Sequence, residues 1–129
     1  MNEISVLEQI ADTAPSLRTA YDTEVSYWMP ESPPGTTLAG ALASALARHV
    51  AEIPADALSK IFATCETVMH HGSTYDAEVV ATGFLEGLQH ANDRGDFDFR
   101  QIAKYLGAKS HAHCVAMDEF HGSSSPGLI

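Results

Sequence analysis

The stretch Thr36-Thr37-Leu38-Ala39-Gly40-Ala41-Leu42-Ala43-Ser44-Ala45-Leu46-Ala47 predicts a closely packed helix. Its leucines recur at every fourth position, which is the spacing of one helical face. The residues between the leucines are small, so a neighbouring helix can approach closely. Thr36 or Thr37 suits the start of this helix, because a threonine hydroxyl can accept a hydrogen bond from a first-turn N–H group. The stretch therefore points to a domain built from packed helices.

Two helices are predicted before this stretch. Asn2 can cap the first, and Pro15 can open the second, since proline is favoured in the first turn and disfavoured inside a helix. Residues 29–35, Met-Pro-Glu-Ser-Pro-Pro-Gly, then break the pattern. The predicted apolar faces of these helices are Ile4, Leu7 and Ile10 in the first, and Leu17, Tyr21, Val25 and Trp28 in the second.

Four more helices are predicted after it. Pro54 opens the fourth helix and Gly72 ends it. Residues 73–76, Ser-Thr-Tyr-Asp, resemble a capping box that starts the fifth helix, which ends near Asn92. The predicted boundaries of the last two helices are Asp98 and Gly107 for the sixth, and Lys109 or Ser110 for the start of the seventh.

The sequence thus predicts an all-α fold of about seven helices in antiparallel pairs. These would form an irregular bundle or a short stack like HEAT or armadillo repeats. A chain of 129 residues is expected to form one domain. We expect this domain to span residues 1–121, with a flexible C-terminal tail at 122–129. No alternating apolar pattern competes for a β-strand.

The composition is acidic, with a formal net charge of -10. Nucleic acids and anionic membrane surfaces attract clustered lysine and arginine, so we expect neither as a direct partner. No apolar run of 18 residues or signal-peptide pattern is present, which predicts a cytoplasmic protein. Cys65 and Cys114 are accordingly expected to be free, buried thiols.

The sequence carries no recognised catalytic motif, and we expect neither an enzyme nor a cofactor. Glu66, Glu78 and Glu86 are predicted to occupy ordinary exposed helical positions. The loop at residues 93–98 lacks the ligand order of an EF-hand and is predicted to be a loop with a helix cap. The stronger prediction for the seven histidines is that they are surface or cap residues.

A metal site is the competing hypothesis for the histidines. Cys114, Asp118 and His121 share one predicted helical face, and His111 lies one turn before Cys114. The fourth helix could complete such a site if it touches the last one. The remaining residues considered for it are Cys65, His70, His71 and His113.

The N-terminal third is the best candidate for a partner-binding surface. Residues 1–47 carry six carboxylates and one arginine, Arg18. Aromatic side chains surrounded by acids are common in protein-binding patches, where aromatics anchor and charges steer. Tyr21, Val25 and Trp28 can alternatively be core residues of the second helix. The predicted partner-binding residues are Asp22, Glu24, Tyr27, Trp28 and Glu31.

The later helices resemble a bacterial all-helical family of uncharacterised domains. Residues 84–88, Phe-Leu-Glu-Gly-Leu, match its "FLE-x-L" helix, and 105–110, Tyr-Leu-Gly-Ala-Lys-Ser, are similar to its "YMGPKT" segment. Pro15, Leu17 and Tyr21 resemble its opening "P-x-L…Y" pattern. Ala108 and Ser110 depart from the family's proline and threonine. The likeness covers most of residues 7–121.

This resemblance implies a small cytosolic protein of the kind found as immunity partners of polymorphic toxins in interbacterial competition. It supplies no catalytic residues. We therefore expect an inhibitor that binds the catalytic domain of a cognate toxin, such as a nuclease, and blocks its active site. Two alternatives remain: an acidic mimic of nucleic acid that inhibits a host or phage nuclease, and a metal-dependent helical enzyme. The latter would use His70, His71, His111, His113 and His121.

Overall fold

A computed structural model describes the backbone of residues 3–128 and the side chains of residues 6–128. Its first half contains α1 (Glu3–Ala11), α2 (Pro15–Trp28), α3 (Gly35–His49) and a 3₁₀ turn (Val50–Glu52). The predicted cap Asn2 and the side chain of Ile4 lie outside the described residues. The predicted helix start at Pro15 is confirmed, because this residue occupies the first turn of α2.

The second half begins with α4 (Ala55–His71), which follows Pro54 as predicted. Helix α5 runs from residue 74 to residue 93 in three continuous parts: Thr74–Glu78, a π-helical part at Val79–Leu85, and Glu86–Asp93. Helix α6 is a single turn (Arg100–Ala103), and α7 is the last helix (Ala108–His121). The described residues contain no strand, so the predicted all-α fold is confirmed.

The helix starts were predicted less accurately than the helices themselves. Helix α3 begins at Gly35 after Pro34, so Thr36 and Thr37 lie inside its first turn rather than at its cap. Helix α7 begins at Ala108, the residue before the predicted start at Lys109. At α5, the Oγ of Ser73 accepts a 3.0 Å hydrogen bond from the N–H of Asp76, which is one half of the predicted capping box.

Helix α3 lies at the centre of the fold. It packs against α1, α2 and α5, while α1 also packs against α4 and α4 against α7. Helices of a repeat stack contact only their neighbours in the stack. These contacts between non-successive helices favour the irregular bundle over the stack. The leucine face predicted for α3 is confirmed, since Leu38, Leu42 and Leu46 are buried.

The π-helical part of α5 is the feature of the fold that periodicity did not predict. Its hydrogen bonds span one residue more than those of an α-helix, which rotates the following side chains around the axis. This segment buries almost every side chain and packs on α3 and α4. Its buried residues are Val79, Val80, Ala81, Gly83, Phe84 and Leu85.

The described part of the C-terminal segment, residues 122–128, folds back on the domain. The N–H of Ser125 donates to Oδ2 of Asp118 at 2.7 Å, and its hydroxyl donates to Oδ1 at 2.8 Å. Leu128 is buried, and Gly127 lies against Arg100 and Ala103 of α6. The expectation of a flexible tail did not include these contacts, because the segment is short, polar and rich in serine.

Candidate partner-binding surface

The C-terminal end of α2 presents two exposed apolar side chains. Tyr27 is 81% exposed and Met29 is 67% exposed. The ring of Tyr27 stands edge-on to that of Trp28, with 6.3 Å between the ring centroids. Met29 belongs to this surface although the predicted set omits it. The sequence signal for Met29 was its position directly before the proline-rich linker. Such a linker ends the helix, so side chains at this point are less covered by neighbouring helices.

Trp28 is anchored to its own helix. Its indole N–H donates to Oε2 of Glu24 at 2.9 Å, across one helical turn. Both side chains are half-buried, so this bond fixes the orientation of the indole beside the exposed Tyr27. Glu31, in the linker that follows, is exposed. The residues at the C-terminal end of α2 and the start of the linker are named here the α2-end surface: Glu24, Tyr27, Trp28, Met29 and Glu31.

Asp22 belongs to a different part of α2. At about 100° per residue it lies roughly 160° around the helix from Glu24. The carboxylate of Asp22 lies 3.1 Å from Arg18, one turn earlier in α2, and the guanidinium of Arg18 also contacts Glu8 of α1 and Asp12. Glu24 instead borders an open groove between α2 and α3, together with Arg48. The structure thus groups four of the five predicted residues and separates Asp22 from them.

The predicted core residues of α2 divide between the interior and the surface. Leu17 and Tyr21 are buried, whereas Val25 and Trp28 are only half-buried. The guanidinium of Arg18 lies over the ring of Tyr21, 5.0 Å from its centroid. The first half of α2 therefore contributes fully buried residues, whereas the second half contributes Val25 to the edge of the core and exposes Tyr27.

The carboxylates that were considered for catalysis do not form a pair. Glu78 is exposed as expected, but the expectation of exposure is wrong for Glu66 and Glu86, which are half-buried. Glu66 accepts hydrogen bonds from the start of α7, and Glu86 lies 2.9 Å from Nε2 of His113. Tertiary packing, which helix periodicity does not encode, brings these partners to them.

The residues of the competing metal hypothesis have separate structural roles. His111 Nε2 lies 2.7 Å from the carbonyl oxygen of Leu128, and Asp118 holds Ser125. His70 lies 2.8 Å from Glu66. Of the described residues, the only three potential ligands that lie within 4.8 Å of one another are Glu86, His90 and His121. The structure therefore does not assemble the set predicted from helical spacing.

Both cysteines are free and buried, as predicted. Desolvation raises the pKa of the Cys114 thiol to about 12, and the carboxylates of Asp118 and Glu86 add to that shift. Burial likewise raises the pKa of Cys65 well above its ordinary value, and the neighbouring Cys114 contributes. Thiols with raised pKa values are poor nucleophiles and poor metal ligands near neutral pH. Their role is to fill the contact between α4 and α7.

A protein-family model matches almost the whole helical domain. Residues 7–122 match a domain of unknown function, DUF7674. The chain belongs to the DUF7674 family. The matched region of this DUF7674 domain begins in α1 and ends just after α7, which confirms an uncharacterised all-helical domain family. No curated protein and no solved structure matches the chain.

The motifs that suggested a family are structural in this DUF7674 domain. Phe84, Leu85 and Leu88 of the "FLE-x-L" segment are fully buried. Leu17 and Tyr21 of the opening pattern are also in the core. Gly107, in the last motif, is the residue directly before α7. It lies against the side chain of Glu66. A shared core of this kind supports the fold, and function requires a separate argument.

None of the helices in residues 3–128 is both long enough and apolar enough to cross a membrane.

Proposed function

We propose that this protein is an immunity-type inhibitor that binds the catalytic domain of a cognate toxin and blocks its active site. The observation that supports this most directly is the α2-end surface, where an exposed tyrosine and methionine stand among carboxylates. Interfaces often combine a few aromatic or sulfur-containing anchors with a polar rim. The toxin would be an enzyme that acts on an anionic substrate, such as a nuclease.

The charge of the chain supports a basic target. With a net charge of -10, the protein attracts a cationic surface and repels polyanions. An enzyme that binds nucleic acid carries a cationic cleft for phosphate. In the proposed complex Glu24 and Glu31 would face that cleft, while Tyr27 and Met29 would supply buried contact area. Complementary charge of this kind increases the association rate more than it increases affinity.

The first test is capture of the partner with the full chain as bait, from lysate of its own source, at low and at moderate salt. The proposal expects one stoichiometric partner, retained at moderate salt, whose activity on its anionic substrate stops when the protein is added at one equivalent. A salt-labile collection of basic proteins would contradict this expectation and favour the nucleic-acid mimic. Capture of a partner whose activity is unaffected would also contradict it.

The second test places the interface. Tyr27→Ala should weaken inhibition of the captured partner, whereas Tyr75→Ala should not. Tyr75 is also an exposed tyrosine, at 52%, but it lies at the start of α5, away from the α2-end surface. Equal effects of the two substitutions would contradict the assignment of this surface.

A further inference from the structure

The ends of α5 and α7 bring together a carboxylate and two imidazoles. We propose that Glu86, His90 and His121 form a binding site for a divalent transition-metal ion such as Zn²⁺. One ligand atom from each residue lies within 4.8 Å of the other two. This inference is independent of the proposed inhibitor function, because it concerns different residues in a different part of the domain.

Two of the three ligands come from one helix. Glu86 and His90 are four residues apart in α5, so their side chains point to the same face, one turn apart. His121 comes from the last turn of α7, which packs against this part of α5. The rings of His90 and His121 stand at 71° to each other, with their centroids 6.0 Å apart. A metal at this position would link the two helices.

The donor set suits zinc and related ions. Imidazole nitrogen binds Zn²⁺, Ni²⁺ and Cu²⁺ well, and carboxylate oxygen completes many such sites. Two ligands on one tetrahedral zinc are about 3.3 Å apart, given arms of about 2.0–2.1 Å. The ligand atoms therefore need to approach one another by about 1.5 Å at most, given their spread of up to 4.8 Å. His90 and His121 are exposed, so rotation of their side chains can provide this movement.

The carboxylate is oriented by a neighbouring histidine. His113 Nε2 lies 2.9 Å from Oε2 of Glu86, and both side chains are half-buried. A carboxylate has two oxygens, so Glu86 can bind His113 through one and a metal through the other. Metal ligands are commonly held by such outer hydrogen bonds, which set their orientation. His113 is thus assigned as a positioning residue for the site.

Three protein ligands leave a coordination position open. Structural zinc sites usually have four protein ligands, whereas sites that bind an exchangeable molecule have three and a water. The exposure of His90 and His121 places the open position toward solvent. The proposed ion could therefore accept a ligand from outside the domain, such as a side chain of a bound partner.

Titration of chelator-treated full-length protein with ZnCl₂, followed by calorimetry, tests the site. We expect one saturable equivalent and a higher melting temperature with zinc. His121→Ala should abolish both effects. His113→Ala should weaken zinc binding by about tenfold to hundredfold, the usual effect of losing an outer hydrogen bond. His71→Ala is the matched control, since His71 is also an exposed histidine in a last helical turn.

Cobalt provides a readout that does not depend on stability. Co²⁺ bound by Glu86, His90 and His121 should give visible absorption bands without the near-ultraviolet band of a cobalt–thiolate bond. A thiolate band would assign the metal to Cys65 or Cys114 and overturn the proposal. Absence of saturable zinc binding in the wild-type protein would also overturn it, as would equal losses in His71→Ala and His121→Ala. Circular dichroism of each variant shows whether it has folded.

Discussion

The carboxylate of Glu66, in α4, caps the N-terminus of α7 through Ser110. Its Oε1 accepts hydrogen bonds from the N–H of Ser110 at 3.0 Å and from the hydroxyl of Ser110 at 2.9 Å. Its Oε2 accepts a further bond from the N–H of Lys109 at 2.9 Å. Residue 107, which directly precedes α7, is a glycine and has no side chain to cap the helix. A residue 44 positions earlier in the chain therefore supplies the cap.

The charge on Glu66 should make stability depend on acidic pH. Burial opposes this charge, but the hydrogen bonds from Lys109, Ser110 and His70 outweigh burial and lower the pKa of Glu66 below its ordinary value. The stabilisation is therefore complete above the unfolded-state pKa, about 4.3. It is lost as the pH falls through the lower folded-state pKa. Urea unfolding of Glu66→Gln should show a free energy of unfolding about 1–2 kcal/mol lower at pH 7.

Glu78→Gln is the control for this measurement, because Glu78 is an exposed glutamate. Its substitution should change the free energy of unfolding by less than about 0.5 kcal/mol. The difference in the free energy of unfolding between Glu66→Gln and the wild type should also shrink as the pH falls from about 6 toward about 3. A difference that stays constant over this range would mean that the charge of Glu66 does not contribute.

Gly83 allows the close approach of α5 to α3. A Cβ atom at this position would lie 2.7 Å from the Cβ of Ala39 and 3.0 Å from the carbonyl oxygen of Thr36. Gly83→Ala should therefore lower the free energy of unfolding by about 1–3 kcal/mol, as overpacking does in other cores. Thermal or urea unfolding measures this directly.

Gly40→Ala is the matched control, since Gly40 also lies inside a helix at the same contact. Its added Cβ would meet only the carbonyl oxygen of Gly83, at 4.0 Å. With space available, alanine should stabilise α3 by about 0.5–1 kcal/mol through its higher helix propensity. The two substitutions should thus have opposite signs. Destabilisation by both to the same extent would contradict the packing described here.

Asp118 should protect the C-terminal segment from hydrogen exchange. Its carboxylate accepts hydrogen bonds from both the N–H and the hydroxyl of Ser125. The side-chain amide of Gln89 also donates to the Asp118 carboxylate and to the Ser125 hydroxyl oxygen. Asp118→Ala should increase the exchange rate of the Ser125 amide, which NMR can measure. The expected local loss is about 1–3 kcal/mol, because the acceptor is charged.

Glu119→Ala, one residue further along α7 and exposed, should leave the Ser125 amide unchanged. Rapid exchange of this amide in the wild-type protein would support the flexible tail that the sequence predicts. Slow exchange that only Asp118→Ala removes would support the packed segment.

Tyr27 should contribute to partner binding and not to folding. At 81% exposure its loss removes little buried area, so Tyr27→Ala should change the free energy of unfolding by less than about 0.5 kcal/mol. If it is an interface anchor, the same substitution should weaken the complex by about 2 kcal/mol or more. Calorimetry with the captured partner gives the second value, and urea unfolding gives the first. Equal losses in stability and in binding would indicate a structural role instead.

Much of the local structure follows from sequence patterns. Pro15 and Pro54 mark helix starts because proline lacks an N–H group and has a restricted φ. The leucines of α3 predict its buried face because an α-helix repeats every 3.6 residues. The pattern at residues 79–85 indicated a helix but not its type, because the same apolar residues are buried in a π-helical part rather than an α-helical one.

The candidate sites could be predicted only in part. Tyr27, Trp28 and Glu31 follow one another closely in the chain, so local sequence was enough to group them with Glu24. The same reasoning also included Asp22, which the structure places on a different face of α2, since nearness in sequence does not mean a shared helical face. Its predicted part in partner binding stays a prediction. The metal ligands proposed from spacing in α7 also failed to converge, because Asp118 and His111 bind the C-terminal segment.

The sequence by itself determined the all-α class, the order of the helices and their approximate starts, because these depend on interactions between residues a few positions apart. Only the tertiary structure decided the cap of α7 by Glu66 and the meeting of Glu86, His90 and His121. These arrangements join different helices: Glu66 is 44 positions from Ser110, and His121 comes from a different helix than Glu86 and His90, so each depends on how the helices cross. Local patterns carry the period of each helix but not the rotation and register with which it packs on another.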